Sequence, residues 1–85
     1  ILTAAQAADD LLNITGIKAS VVMCEQKSVI YLSARSFGDI NVQVIMEKLG
    51  GGGHLGVAGA QLRDIDITEA KKLLKQKIDE YLQEE

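Results

Sequence analysis

The chain has 85 residues, 47% of them hydrophobic and 25% charged, with a net charge of −3 and a pI near 5.0. That length makes one domain with a single small core. The acidic balance, with Arg35 and Arg63 the only arginines, excludes the broad basic face on which extended nucleic-acid binding rests. One cysteine excludes an internal disulfide, and one cysteine with one histidine excludes a Cys/His metal cluster.

No run of about 18 apolar residues is present to span a bilayer. The first residue is Ile1, and no signal-peptide pattern leads in. The chain is therefore expected to be a piece of a longer protein, read here as one domain over residues 1–85.

In chain order, TAAQAADDLLN predicts a helix. Thr3 and Gln6 fit a capping box, and Ala4, Ala8, Leu11 and Leu12 form a narrow apolar stripe at helical spacing. The helix is expected to end near Asn13, with Gly16 close behind. Asp9 and Asp10 are adjacent, so their side chains point about 100° apart. They do not converge on one metal and read as solvated surface.

IKASVVMCEQ and SVIYLSARS are rich in β-branched and apolar residues and predict an antiparallel hairpin turning near Gln26–Lys27. The turn lacks the usual Gly or Asn, which leaves its type open. Cys24, inside VVMCE, reads as a buried small hydrophobe. Alternation puts Ile30, Leu32 and Ala34 on one face, with Val29, Tyr31, Ser33 and Arg35 on the other. Arg35 thus stands at a strand end on the more polar face, where a guanidinium suits a phosphate.

FGDINVQVIMEKLG predicts a second helix, capped by Asn41 or Asp39. Val42, Ile45, Met46 and Leu49 recur at i, i+3, i+4, i+7, and Gly50 suits the left-handed position that ends a helix. VAGAQLRD predicts a third strand, weakened by Gly59. Arg63, at its end, reads as surface. DIDITEAKKLLKQKIDEYLQEE predicts the last helix, with Asp66 and Glu69 as an acidic capping box. Its buried stripe is Ile67, Ala70, Leu74, Ile78 and Tyr81, and its lysines form a solvated face. The expected class is α+β: a small mixed or antiparallel sheet with helices packed against it and a glycine-rich loop between a helix and a strand.

That loop, KLGGGGHLGVAGAQ, is the unusual feature. Each ordered glycine costs about 0.5–1 kcal/mol relative to alanine, so four in a row cost on the order of 2–4 kcal/mol. One reading is a flexible connector. The other is a backbone cradle, in which the N–H groups of Gly50, Gly51, Gly52 and Gly53 close on an anionic group. His54 would then stand at the rim as a phosphate donor or base-stacking ring, although a structural, hydrogen-bonded histidine fits as well.

GGGGH followed by AGAQ resembles the signature of the DHH-associated domain of the first type, the C-terminal lobe of DHH-family phosphoesterases. The stretch from Ser33 to Leu62, SARSFGDINVQVIMEKLGGGGHLGVAGAQL, is similar to cyclic-di-AMP phosphodiesterases of the GdpP type. The resemblance implies that Gly50 to Gly53 and His54 hold phosphate and nucleotide, and that Arg35 with Ser36, the "RS" before the helix, supplies a cation to the substrate phosphate. It implies a DHH catalytic domain elsewhere in the same chain, carrying two divalent metals, usually manganese. The fragment alone would then bind substrate without cutting it. The implied ligand is a cyclic dinucleotide, hydrolysed to pApA by the full-length protein, or a short oligonucleotide, with no extended duplex. The implied location is the cytoplasmic face, the parent being anchored in a bacterial membrane. Two neighbouring readings stay open: the lobe of a soluble DHH oligoribonuclease or exonuclease, and a nucleic-acid-binding module like the C-terminal domain of alanyl-tRNA synthetases.

Overall fold

A computed structural model describes residues 4–84. The elements are α1 (Ala4–Leu12), β1 (Ala19–Gln26), β2 (Val29–Ser36), α2 (Val42–Glu47), β3 (Gly52–His54), β4 (Val57–Arg63) and α3 (Ile67–Glu84). The expected cap at Thr3 lies outside the described residues.

The four strands form one sheet in the order β1-β2-β4-β3, with every neighbouring pair antiparallel. The α+β class holds, with a purely antiparallel sheet. The glycine run is not all loop. Its second half, with His54, is a short edge strand paired to β4 by Gly52↔Gly59, Gly53↔Ala58 and His54↔Val57. Nothing in Gly-Gly-His signals a strand by propensity. The pairing exists because bare backbone lies against the small residues of β4.

One face of the sheet carries the core. Ile30, Leu32 and Ala34 of β2 and Ala58, Ala60 and Leu62 of β4 pack with Val42, Ile45, Met46 and Leu49 around α2 and with Ala70 and Tyr81 of α3. Ile67, Leu74 and Ile78 are partly buried against the same cluster, as their spacing predicts. Tyr81 adds a polar tie, its hydroxyl accepting the Asn41 N–H at 2.9 Å. Asn41 is the cap of α2, its side chain accepting the Val44 N–H at 3.3 Å. Asp66 Oδ1 accepts the Glu69 N–H at 2.8 Å and caps α3.

The opposite face is covered by a helix only at one end. There α1 packs across β1 and β2. Ser20 Oγ donates to the Ala8 carbonyl at 2.6 Å, and Arg35 Nε donates to Asp9 Oδ1 at 2.7 Å. Ser20 and Arg35 are cross-strand partners, so both bonds arise from one row of the sheet. Cys24 lies four residues further along β1 and is exposed, not buried. It stands on the same face as Ser20, beyond the reach of α1. The hairpin closes one residue later than expected, with Lys27 (φ 51°) and Ser28 (φ 67°) in the loop after the Gln26↔Val29 pair.

Candidate functional site

The glycine run performs several different tasks. Gly50 (φ 84°) takes the left-handed conformation that ends α2. Its N–H donates to the Glu47 carbonyl at 3.0 Å, and the Gly51 N–H donates to the Met46 carbonyl at 2.8 Å. These are the paired bonds of a Schellman motif. Gly51 and Gly53 are held by close approach. A β-carbon on Gly51 would fall on the Gly59 carbonyl oxygen and 2.7 Å from Ala60 Cα; one on Gly53 would fall on the Val57 carbonyl oxygen and 2.5 Å from Ala58 Cα.

Gly52 is different. A β-carbon there meets no heavy atom within 4 Å, and its φ is outside the left-handed range. The fold places no demand for glycine at position 52.

The ladder determines where the remaining amides point. The Ser36 N–H donates to the Gly56 carbonyl at 2.9 Å. Antiparallel pairs alternate between bonded and non-bonded, so Ala58, Ala60 and Leu62 turn their backbone groups to β2, and Val57 and Gly59 turn theirs to β3. Gly52 and His54 therefore bond to β4, and the Gly53 N–H points outward from the sheet edge. The expected cradle of successive converging amides is thus corrected. Gly50 and Gly51 cap α2, Gly52 and His54 are paired, and one outward donor remains at Gly53.

Cross-strand partners share a face, and this brings the charged residues into register. His54 pairs with Val57, and Val57 with Arg35, so His54 and Arg35 share a face two strands apart, on the order of 10 Å. His54 is exposed. The Arg35 side chain is only 14% exposed. Beside its bond to Asp9, its Nη1 donates to the Ala34 carbonyl at 2.9 Å. Asp9 keeps its solvent exposure but serves as a partner to Arg35, which their 26-residue separation hides in the sequence. Ser36 does not join this group. It is buried, its hydroxyl donates to the Ile40 carbonyl at 2.5 Å and accepts the Gly38 N–H at 3.1 Å, and it thereby shapes the turn after Arg35.

Next to the His54 row lies the row Gly52–Gly59–Ser33, and beyond it the pair Gln61–Tyr31. A depression of 560 Å³ opens here, lined by Tyr31, Ser33, Gly51, Gly59, Gln61 and Arg63 among others. Arg63, read as plain surface from the sequence, belongs to this wall. Gln61 and Tyr31 were not singled out either. Their signal in the sequence is strand alternation, which puts Tyr31 on the face of Arg35 and Gln61 on one side with Val57 and Gly59. Among the described residues no group of three or more His, Cys, Asp or Glu lies together as metal donors, and no helix is long and apolar enough to cross a membrane.

The model of the DHHA1 domain matches residues 2–84. The chain is 57% identical over 79 residues to the cyclic-di-AMP phosphodiesterase PdeA of Listeria monocytogenes, covering 92% of this chain and 12% of that protein. It is 50% identical over 80 residues to the cyclic-di-AMP phosphodiesterase GdpP of Geobacillus thermodenitrificans, covering 93% of this chain and 12% of that protein. The chain thus spans about an eighth of the length of these relatives. Among solved structures, an exopolyphosphatase-related protein from Bacteroides fragilis superposes with a TM-score of 0.78 at 27% identity, over 87% of this chain and 22% of that one.

Proposed function

The chain belongs to the DHHA1 domain family, and from that membership we propose that it is the substrate-binding lobe of a DHH-family phosphodiesterase that hydrolyses cyclic-di-AMP to pApA. The observation that carries the reading is Gly52. Its β-carbon position is empty and opens onto the face that also presents His54 and Arg35. A glycine the fold does not require, beside an imidazole and a guanidinium, is suited to a ligand that lies against the backbone.

In this reading the Gly53 N–H and His54 donate to one phosphate. Arg35 contributes the cation. Its Nε and Nη1 are engaged, leaving Nη2 for a phosphate oxygen, and the whole guanidinium fork becomes available when phosphate displaces Asp9. Ser36 acts indirectly, by fixing the turn behind Arg35. Hydrolysis is assigned to a DHH lobe elsewhere in the parent, whose two divalent cations, manganese in this reading, would supply activated water. In this reading no catalytic step is placed on this chain's own residues. Phe37, Leu55 and Val57 are large apolar residues left exposed, Val57 as the cross-strand partner of His54, and exposed apolar residues of this kind fit the closing surface of a second lobe. The parent is proposed to be membrane-anchored with this lobe on the cytoplasmic face.

The test is kinetic. In the full-length phosphodiesterase, Gly52→Ala is expected to raise KM for cyclic-di-AMP at least about tenfold, a loss of roughly 1.4 kcal/mol, while leaving the unfolding midpoint of the lobe in place. Unchanged kinetics would show that substrate does not approach Gly52.

A further inference from the structure

The depression beyond Gly52 holds side chains that phosphate binding does not use. Tyr31 and Gln61 are cross-strand partners. By the ladder alternation their pair is a non-bonded one, the kind that brings side chains closest. Tyr31 is 37% exposed, a large aromatic on an open sheet face. Arg63 Nη2 donates to Gln61 Oε1 at 3.4 Å, which orients the carboxamide and leaves its NH₂ to donate outward. All three side chains line one cavity with Ser33 and Gly59. The floor between them and His54 is the Gly52–Gly59–Ser33 row, where no side chain is larger than a hydroxymethyl group.

The spacing fits a nucleotide. The His54–Val57 row and the Gln61–Tyr31 row are four residues apart along β4, on the order of 14 Å. The phosphate end is at His54 and Arg35, and a base attached through ribose reaches the other end across the glycine floor.

We infer that Tyr31, Gln61 and Arg63 form a purine-recognition site in which the base stacks on the Tyr31 ring and the Gln61 carboxamide reads its edge. The carboxamide offers one donor and one acceptor side by side, the complement of adenine's adjacent acceptor and amino group. Arg63 is the positioning residue, holding the Gln61 amide in the orientation that presents its NH₂. Guanine offers two acceptors to the same position, and a pyrimidine reaches less far over the floor. The site therefore selects adenine. This rests on the nucleotide-site reading above and extends it from the phosphate to the base.

The experiment is an amide-shift titration of the 85-residue chain with three probes: adenosine 5′-monophosphate, guanosine 5′-monophosphate and ribose 5-phosphate. The phosphate-bearing sugar alone is expected to move Gly53 and His54. The adenine nucleotide is expected to move these together with Gly59, Gln61 and Tyr31, and to bind about tenfold more tightly, the scale of one stacked or edge-read base. Tyr31→Ala and Gln61→Ala are each expected to remove about a tenfold advantage of the adenine nucleotide over ribose 5-phosphate, with Tyr31→Phe restoring it because the ring does the stacking. Shifts confined to Gly53 and His54 with every probe would overturn the base site while leaving the phosphate site standing. Tighter binding of the guanine nucleotide would overturn the role given to Gln61. No shift with any probe would overturn both readings.

Discussion

At the scale of single residues, the four consecutive glycines separate into those the fold needs and one it does not. Gly51 lies against the Gly59 carbonyl and Ala60, so Gly51→Ala must push β3 away from β4. Overpacking of this kind costs about 1–3 kcal/mol, and chemical denaturation should register that loss. Gly52→Ala is expected to stay within about 0.5 kcal/mol of the parent, as open surface positions do. Equal losses at both positions would mean that β3 does not lie as described. Composition and pattern mark this stretch as unusual, and the resemblance to a known family implies a nucleotide ligand for it, but neither separates the four positions. What distinguishes them is a backbone-to-backbone approach of Gly51 to Gly59 and of Gly53 to Val57, which no local pattern records. The same holds for Asp9. It reads as one of two solvated aspartates, and it meets Arg35 only because α1 folds back across the sheet.

At the scale of elements, periodicity served the helices well. The stripes in α2 and α3 and the caps at Asn41 and Asp66 are where the pattern puts them. The strand β3 was illegible, since three residues of Gly-Gly-His carry no alternation to read. Burial at Cys24 was misjudged because strand alternation says which face a residue occupies, not whether a helix covers that face. The β1–β2 turn was located to within a residue, but its chemistry was not foreseen. Lys27 and Ser28 both have positive φ, the conformation of a type I′ turn that Asn-Gly adopts with least strain. Replacing Lys27-Ser28 by Asn-Gly is expected to stabilise the domain by about 1–2 kcal/mol, seen as a higher denaturation midpoint at unchanged m-value. A loss of stability would mean that Lys27 and Ser28 contribute contacts outweighing their backbone strain.

At the scale of the whole molecule, the two faces of the sheet divide the labour. One face is closed by α2 and α3 and supplies the core. The other is left open beyond α1, and every side chain assigned to the ligand faces it. The closed side is fastened by Lys48 and Glu84, whose Nζ–Oε1 distance is 2.8 Å. The hydrogen bond to Glu84 raises the Lys48 pKa above its ordinary value of 10.5. A raised folded-state pKa contributes stability that is fully present below 10.5 and is lost as pH climbs through the higher folded value. The stability difference between the parent chain and Lys48→Met is therefore expected to be constant near neutrality and to shrink as pH rises past 10.5. A difference that does not change with alkaline pH would remove the pair from the account.

The central claim is that the open face, and not the lysine-bearing surface of α3, receives the nucleotide. Titrating the chain with pApA while following every backbone amide tests it most directly. The account predicts that Gly52, Gly53, His54 and Arg35 shift together along one saturating curve. Shifts gathered instead on Lys71, Lys72, Lys75 and Lys77, with the glycine strand silent, would contradict it.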